Sequence, residues 1–473
     1  MRLPALVSAL SALSAFSALS AQAPALTAAP RLTLPPVQKT LLTNGLRLDV
    51  VPMREVPLVQ ATLIIDGGGR LDGTSPGLAA LTAGMLKEGA GARSALELDE
   101  ELEHLGAQLS SGATWDATTL VLRAPRRTFP AALAILASVV REPRFASEDV
   151  TRERDLLLAR LLQRRAQPNA VAGVTLGRAL YPEGHPYHAP LAGDSASVAA
   201  LDSAVLRNYW SGLSDPRRAT LILTGDVTQA DAKRLAQEAF GAWRPPRPGA
   251  PPAPLPANPA PRPTRVVLVD KPGSPQSVIA IGAPGVVRSS IDYPAITLMN
   301  TILGGSYSAR LNDVLREQKG YSYGAFSQFV WRPIPGPFVA QAAVRADVTD
   351  SALRVFFDEF RRLRDEPVPT VELERARSYL ALGALSEWET TGDVATQLAT
   401  LHAFGRPLSS VQKERDAMAK LTAADVQQAA RRYLDPDHLT VVVVGDAQAI
   451  RPGIEVLGLG PIELRDADGH LIP

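Results

Sequence analysis

Residues 244–263 constrain this chain more than any other stretch. They begin Arg-Pro-Pro-Arg-Pro-Gly-Ala-Pro-Pro-Ala-Pro-Leu-Pro and run on into further proline. A proline has no backbone N–H and a fixed φ, so such a segment cannot join a hydrogen-bond ladder. The composition predicts an extended, semi-rigid spacer with polyproline character. The chain must therefore fold on either side of it. Both sides end alike: an amphipathic helix with a tyrosine, a short Asp-Pro turn, an apolar strand and then Gly-Asp. The first copy is Tyr209, Asp215-Pro216, Leu221 to Thr224 and Gly225-Asp226; the second is Tyr433, Asp435-Pro436, Val441 to Val444 and Gly445-Asp446. Two such endings point to an internal duplication of an α+β unit of about two hundred residues.

Strand patterns over 46–51, 58–66, 115–124 and 219–224 alternate with helical patterns over 94–106, 129–140, 147–165, 198–210 and 229–240. The second half repeats the theme with strands over 265–270, 277–282, 322–330, 338–345 and 439–444. With 473 residues, 46% of them hydrophobic and 21% charged, the chain has the composition of a globular protein with a large core. Lysine plus arginine (49) and aspartate plus glutamate (48) nearly cancel, so no global charge draws it to nucleic acid or an acidic membrane. The absence of cysteine excludes thiol catalysis and a disulfide framework. Met1-Arg2, the Ala/Leu/Ser-rich run 3–20 and the small-x-small site Ala21-Gln22-Ala23 have the layout of a secretory leader. Export, for instance to a periplasm, is expected, without stable membrane insertion.

The stretch Thr74 to Ala90 reads as a short buried helix opened by Pro76-Gly77 and closed by Gly89, with Leu78, Leu81 and Leu86 at helical spacing. Its frame resembles the active-site helix of the insulinase/pitrilysin-like zinc peptidases, in the branch that includes the mitochondrial processing peptidases. The matching run there carries an inverted zinc motif, H-x-x-E-H, with two ligands and a general base. Here those three positions are Ala80, Ala83 and Gly84, and the family's later glutamate ligand falls on Arg160. Zinc needs three or four Cys, His or carboxylate ligands, and a permanent guanidinium repels it. No cofactor is expected in this chain.

Other chemistry finds little support. None of the six histidines forms a zinc motif; in His185-Pro-Tyr-His188 the proline denies the two imidazoles one helical face, so the run reads as a loop. Gly67-Gly68-Gly69 lacks the lysine and spacing of a phosphate loop, and Gly304-Gly305-Ser306 reads as a structural turn. One constellation remains. Leu311 to Glu317 is helical, Gly320 stops it in the left-handed role, and a strand with Tyr321 and Tyr323 follows. The block resembles the family's C-terminal-half motif, in which an Arg and a Tyr seven residues apart reach a substrate at the zinc site. Arg316 and Tyr323 have that spacing.

The resemblance implies an α+β fold of two tandem homologous domains. Each is a mostly antiparallel sheet packed with helices, and the pair forms a clamshell. The expected divisions are a leader at 1–23, an N-terminal domain with a degenerate zinc motif at 24–243, the linker at 244–263, a C-terminal domain with the Arg/Tyr motif at 264–460 and a tail at 461–473. It further implies the non-zinc subunit of a heterodimeric peptidase, with zinc in a homologous partner bearing H-x-x-E-H and peptide as substrate. The alternatives are an inert scaffold or a peptide-binding protein of the same fold.

Overall fold

The computed structural model describes residues 32–245, 256–466, 469 and 471–472. The expected leader and the middle of the proline-rich segment lie outside the described residues.

The first half builds a six-stranded sheet from β1 (Gln38–Leu41), β2 (Arg47–Pro52), β3 (Leu58–Asp66), β4 (Gln108–Ala113), β5 (Ala117–Pro125) and β6 (Ala219–Gly225). The second builds another from β7 (Arg265–Asp270), β8 (Gln276–Pro284), β9 (Ser322–Phe329), β10 (Pro337–Arg345), β11 (Thr440–Gly445) and β12 (Ile462–Arg465). The strand orders are β1-β2-β6-β3-β5-β4 and β12-β7-β11-β8-β10-β9. From the β4 and β9 edges inward, both sheets run antiparallel, antiparallel, antiparallel, parallel.

The two sheets also share register. One row across the first is Ser111, Leu120, Leu63, Leu221, Leu48. The corresponding row across the second is Ser327, Ala340, Ile281, Val441, Val266. The duplication inferred from the strand endings therefore extends across five strands, interrupted by a register shift between Ala342 and Val344 in the β9–β10 pairing that β4–β5 does not have.

Unbroken apolar runs such as Val441–Val444 require cover on both faces of a sheet. Val441 and Val443 join the core beneath their own half's helices, while Val442 and Val444 join a second core. That second core is closed by the helix Pro168–Leu180, from the first half, lying on β8 and β11. The exchange is mutual. The helix Thr391–Ala403, from the second half, covers β3 and β6, where Ile222 packs with Val394 and Leu398. At roughly 1.5–3 kcal/mol for each large aliphatic side chain fully buried, these two exchanged helices join the halves firmly.

A polar joint adds to them. The guanidinium of Arg332, in the β9–β10 turn, lies in the corner formed by the rings of Trp115 and Tyr187, 4.1 Å from each centroid. The Tyr187 hydroxyl donates to Asp116 at 3.1 Å, and the Tyr181 hydroxyl donates to the carbonyl of Pro335 at 3.2 Å. The His-Pro-Tyr-His run is the socket of this joint: His185 stacks on Tyr181 and accepts from the Tyr187 amide, and His188 Nδ1 contacts the Tyr181 carbonyl. The turns of the two edge hairpins, β4–β5 and β9–β10, meet here.

Candidate functional site

The helix Leu78–Met85 begins after Gly77 in the left-handed region, φ 96°. Its first amides donate to the buried Asp72 carboxylate, Gly77 at 3.0 Å and Ala79 at 2.9 Å. Leu78, Leu81, Met85 and Leu86 enter the core of the first half. Ala80 and Gly84 are half-buried on the other side, and Ala83 is buried with its carbonyl accepting from the Ser111 hydroxyl of β4 at 2.6 Å. A Cβ added at Gly84 would meet nothing within 4 Å. Arg160 is exposed on the neighbouring helix Ser147–Arg165. Among the described residues no group of three His, Cys, Asp or Glu is placed to hold a metal ion. The helix keeps a well-capped frame but presents two methyls, a hydrogen and, nearby, a guanidinium.

In the second half the run after Gly304-Gly305 forms a short α turn, Arg310–Asn312, and then a π turn, Asp313–Gln318. Gly320 ends it at φ +63°, and β9 starts at Ser322. Arg310 is buried and its Nε donates to Glu372 at 2.7 Å. The Arg316 side chain is partly exposed, 3.4 Å from Glu317, with its guanidinium 4.9 Å from the centroid of Tyr307. Tyr321 packs against the core of this half, whereas Tyr323 is 93% exposed. The two tyrosines thus share a strand-face parity without sharing an environment.

β4 and β9 are equivalent edges with different boundaries. On β9 the Ser327 amide donates to the Gly304 carbonyl at 3.0 Å, and Asn300 Nδ2 donates to the Ser327 carbonyl at 3.0 Å. The Ala325 amide donates to Asn312 Oδ1 at 3.2 Å. A Cβ at Gly304 would stand 2.5 Å from the Ser327 nitrogen, so the glycine permits this close approach, as its reading as a structural turn requires. Among the described residues, no backbone amide of β4 donates outside its sheet. At the place where Ser327 donates to the Asn300 side chain at 2.8 Å, Ser111 donates to a backbone carbonyl. The outer edge of β9 is capped, and that of β4 is open.

Sequence patterns missed β4, because Gln-Leu-Ser-Ser-Gly-Ala has neither β-branched residues nor strong alternation. They also missed Asn300, Asn312 and Tyr307; only the duplication, by aligning Ser111 with Ser327, could have drawn attention to this region. Of the remaining described histidines, His402 contacts Asp49 at 2.8 Å across the halves and His438 contacts Asp435 at 2.7 Å.

Residues 53–193 match the family model described as Insulinase (Peptidase family M16), and residues 200–380 match Peptidase M16 inactive domain. A Mycobacterium tuberculosis protein named as an uncharacterized zinc protease is 25% identical over 417 residues, covering 87% of this chain and 92% of its own. The mitochondrial-processing peptidase subunit beta of Lentinula edodes is 23% identical over 434 residues, covering 87% and 90%. The crystal structure of a peptidase M16 inactive domain from Pseudomonas fluorescens superposes with a TM-score of 0.79 at 27% identity, covering 86% of this chain and 98% of that one. Sheet order, duplicated register and both family models agree: this chain belongs to the insulinase-like peptidase family M16.

Proposed function

We propose that this chain is the non-zinc-binding subunit of an exported, heterodimeric insulinase-like peptidase. It lends Arg316 and Tyr323 and part of the cavity wall to peptide hydrolysis at a homologous partner's zinc. The observation that carries the reading is an asymmetry between the two halves. The helix Leu78–Met85 offers Ala80, Ala83 and Gly84 where the family's metal chemistry would stand, while Arg316 and a solvent-facing Tyr323 occupy one end of β9. A guanidinium and a phenol can both donate to a peptide carbonyl and to the oxyanion that develops on it. The open edge of β4 suits an extended peptide bound by strand addition. A relative named as a subunit of a processing peptidase and a structural neighbour named as an inactive domain support the division of labour. The leader-like residues 1–23 support export.

Reconstitution with the H-x-x-E-H-bearing chain tests the reading. Arg316→Ala and Tyr323→Phe should each lower kcat by about 10²–10³-fold, the range for one lost oxyanion donor, with assembly intact by size exclusion. Unchanged turnover in both variants would remove the catalytic role. Peptide binding by the pure chain, abolished by Ser111→Pro, whose amide faces outward as that of Ser327 does on β9, would then favour a binding protein that uses the β4 edge.

A further inference from the structure

Arg316 is held in place by this chain before any substrate arrives. Its guanidinium rests 4.9 Å from the centroid of the Tyr307 ring, and that tyrosine is 66% exposed, so the ring is not placed there by core packing. The backbone that carries it is fixed. Asn312, 4% exposed, donates from Nδ2 to the Tyr307 carbonyl at 2.7 Å and accepts at Oδ1 from the Ala325 amide at 3.2 Å. Asn312 is also the residue after which the α turn passes into the π turn carrying Arg316, and Ala325 lies two residues beyond Tyr323 on β9. One buried amide therefore ties together the segments bearing Tyr307, Arg316 and Tyr323.

The π turn gives Arg316 its direction. The Lys319 amide reaches back to the Val314 carbonyl and the Tyr321 amide to that of Leu315. This wider turn changes the phase at which side chains leave it. A ring against one face of a planar guanidinium leaves the in-plane N–H groups free to donate. Glu317, at 3.4 Å, competes for the same N–H groups.

We propose that Tyr307 is a positioning residue for Arg316: its ring face holds the guanidinium with its N–H groups presented to a peptide carbonyl, and its hydroxyl has no part in this. The inference rests on the reading of Arg316 as a substrate-facing group, but its first test does not need the partner. Modification of Arg316 by phenylglyoxal in the full chain is followed by peptide mapping. Tyr307→Leu should raise the Arg316 rate about two- to fivefold, the range of an exposed cation–π contact, while Tyr307→Phe keeps the parent rate. An unchanged rate in Tyr307→Leu overturns the proposal, as does an equal rise in Tyr307→Phe.

In the reconstituted peptidase, Tyr307→Leu should lower kcat/KM by a similar factor, with Tyr307→Phe restoring it. If Arg316→Ala leaves turnover unchanged while the phenylglyoxal pattern holds, the contact stands and the functional reading falls. If Arg316→Ala is severe and Tyr307→Leu alters neither readout, this inference alone falls.

Discussion

Replacing Arg332 with alanine should loosen the joint between the halves, and the structure sets the size of the effect. The guanidinium faces two rings, each centroid 4.1 Å away, in a half-buried site where one such contact contributes about 1–2 kcal/mol. It is also the foremost charge opposing the effect of burial on Asp116, whose carboxyl desolvation pushes above its usual range. Without Arg332 the carboxylate retains the Tyr187 hydroxyl and Arg70, 3.9 Å away, so the added penalty is modest. The sum is about 2–4 kcal/mol. Arg332→Lys keeps the charge but replaces the delocalised, weakly hydrated guanidinium with a strongly hydrated ammonium, and should fall between parent and alanine. Urea denaturation measures the loss. Hydrogen exchange locates it: protection should fall together in 114–117, 185–188 and 330–336, segments far apart in sequence, while the exchanged helix 168–180 stays protected. An Arg332→Ala chain within about 0.5 kcal/mol of the parent, the range of ordinary surface substitutions, with unchanged exchange at 114–117, would refute the reasoning.

Gly84→Ala should stabilise the first half by about 0.5–1 kcal/mol. The residue is helical, an added methyl meets nothing within 4 Å, and a raised Tm without loss of assembly is the expected result; a lowered Tm would mean that the space is occupied. Asp72 supplies a pH dependence. Burial raises its carboxyl from 3.8 to about 7, against the opposing amides of Ala79, Gly77 and Leu78. A folded-state pKa above the unfolded one means that its contribution is fully present below pH 3.8 and is lost as pH rises towards 7, by up to about 4 kcal/mol. Asp72→Asn cannot ionise, so it should gain on the parent between pH 4.5 and 7.5 in urea titrations; a difference independent of pH would contradict this.

Several elements left little trace in the sequence. The helix Pro168–Leu180 is built from small residues, Asn-Ala-Val-Ala-Gly-Val, with no side-chain cap. Its apolar face meets the other half's sheet rather than its own. β4 has no strongly apolar stripe because it is an open edge, and the helices Ser409–Lys420 and Ala447–Val456 were likewise not anticipated. By contrast, the helices with acidic first turns and the apolar strands stood out, because capping and dense burial act on neighbouring residues.

Residue identity and short-range pattern carried the repeated α+β unit and the absence of a metal-ligating group from the side chains of Ala80, Ala83, Gly84 and Arg160. No neighbour can give a methyl a lone pair for zinc. Tertiary structure alone decided that β9 is capped while β4 is open, that each half lends a helix to the other's sheet, and that Arg316 lies on Tyr307. Each of these depends on contacts whose partners are brought together only when the whole chain closes, and periodicity along the chain carries no record of them.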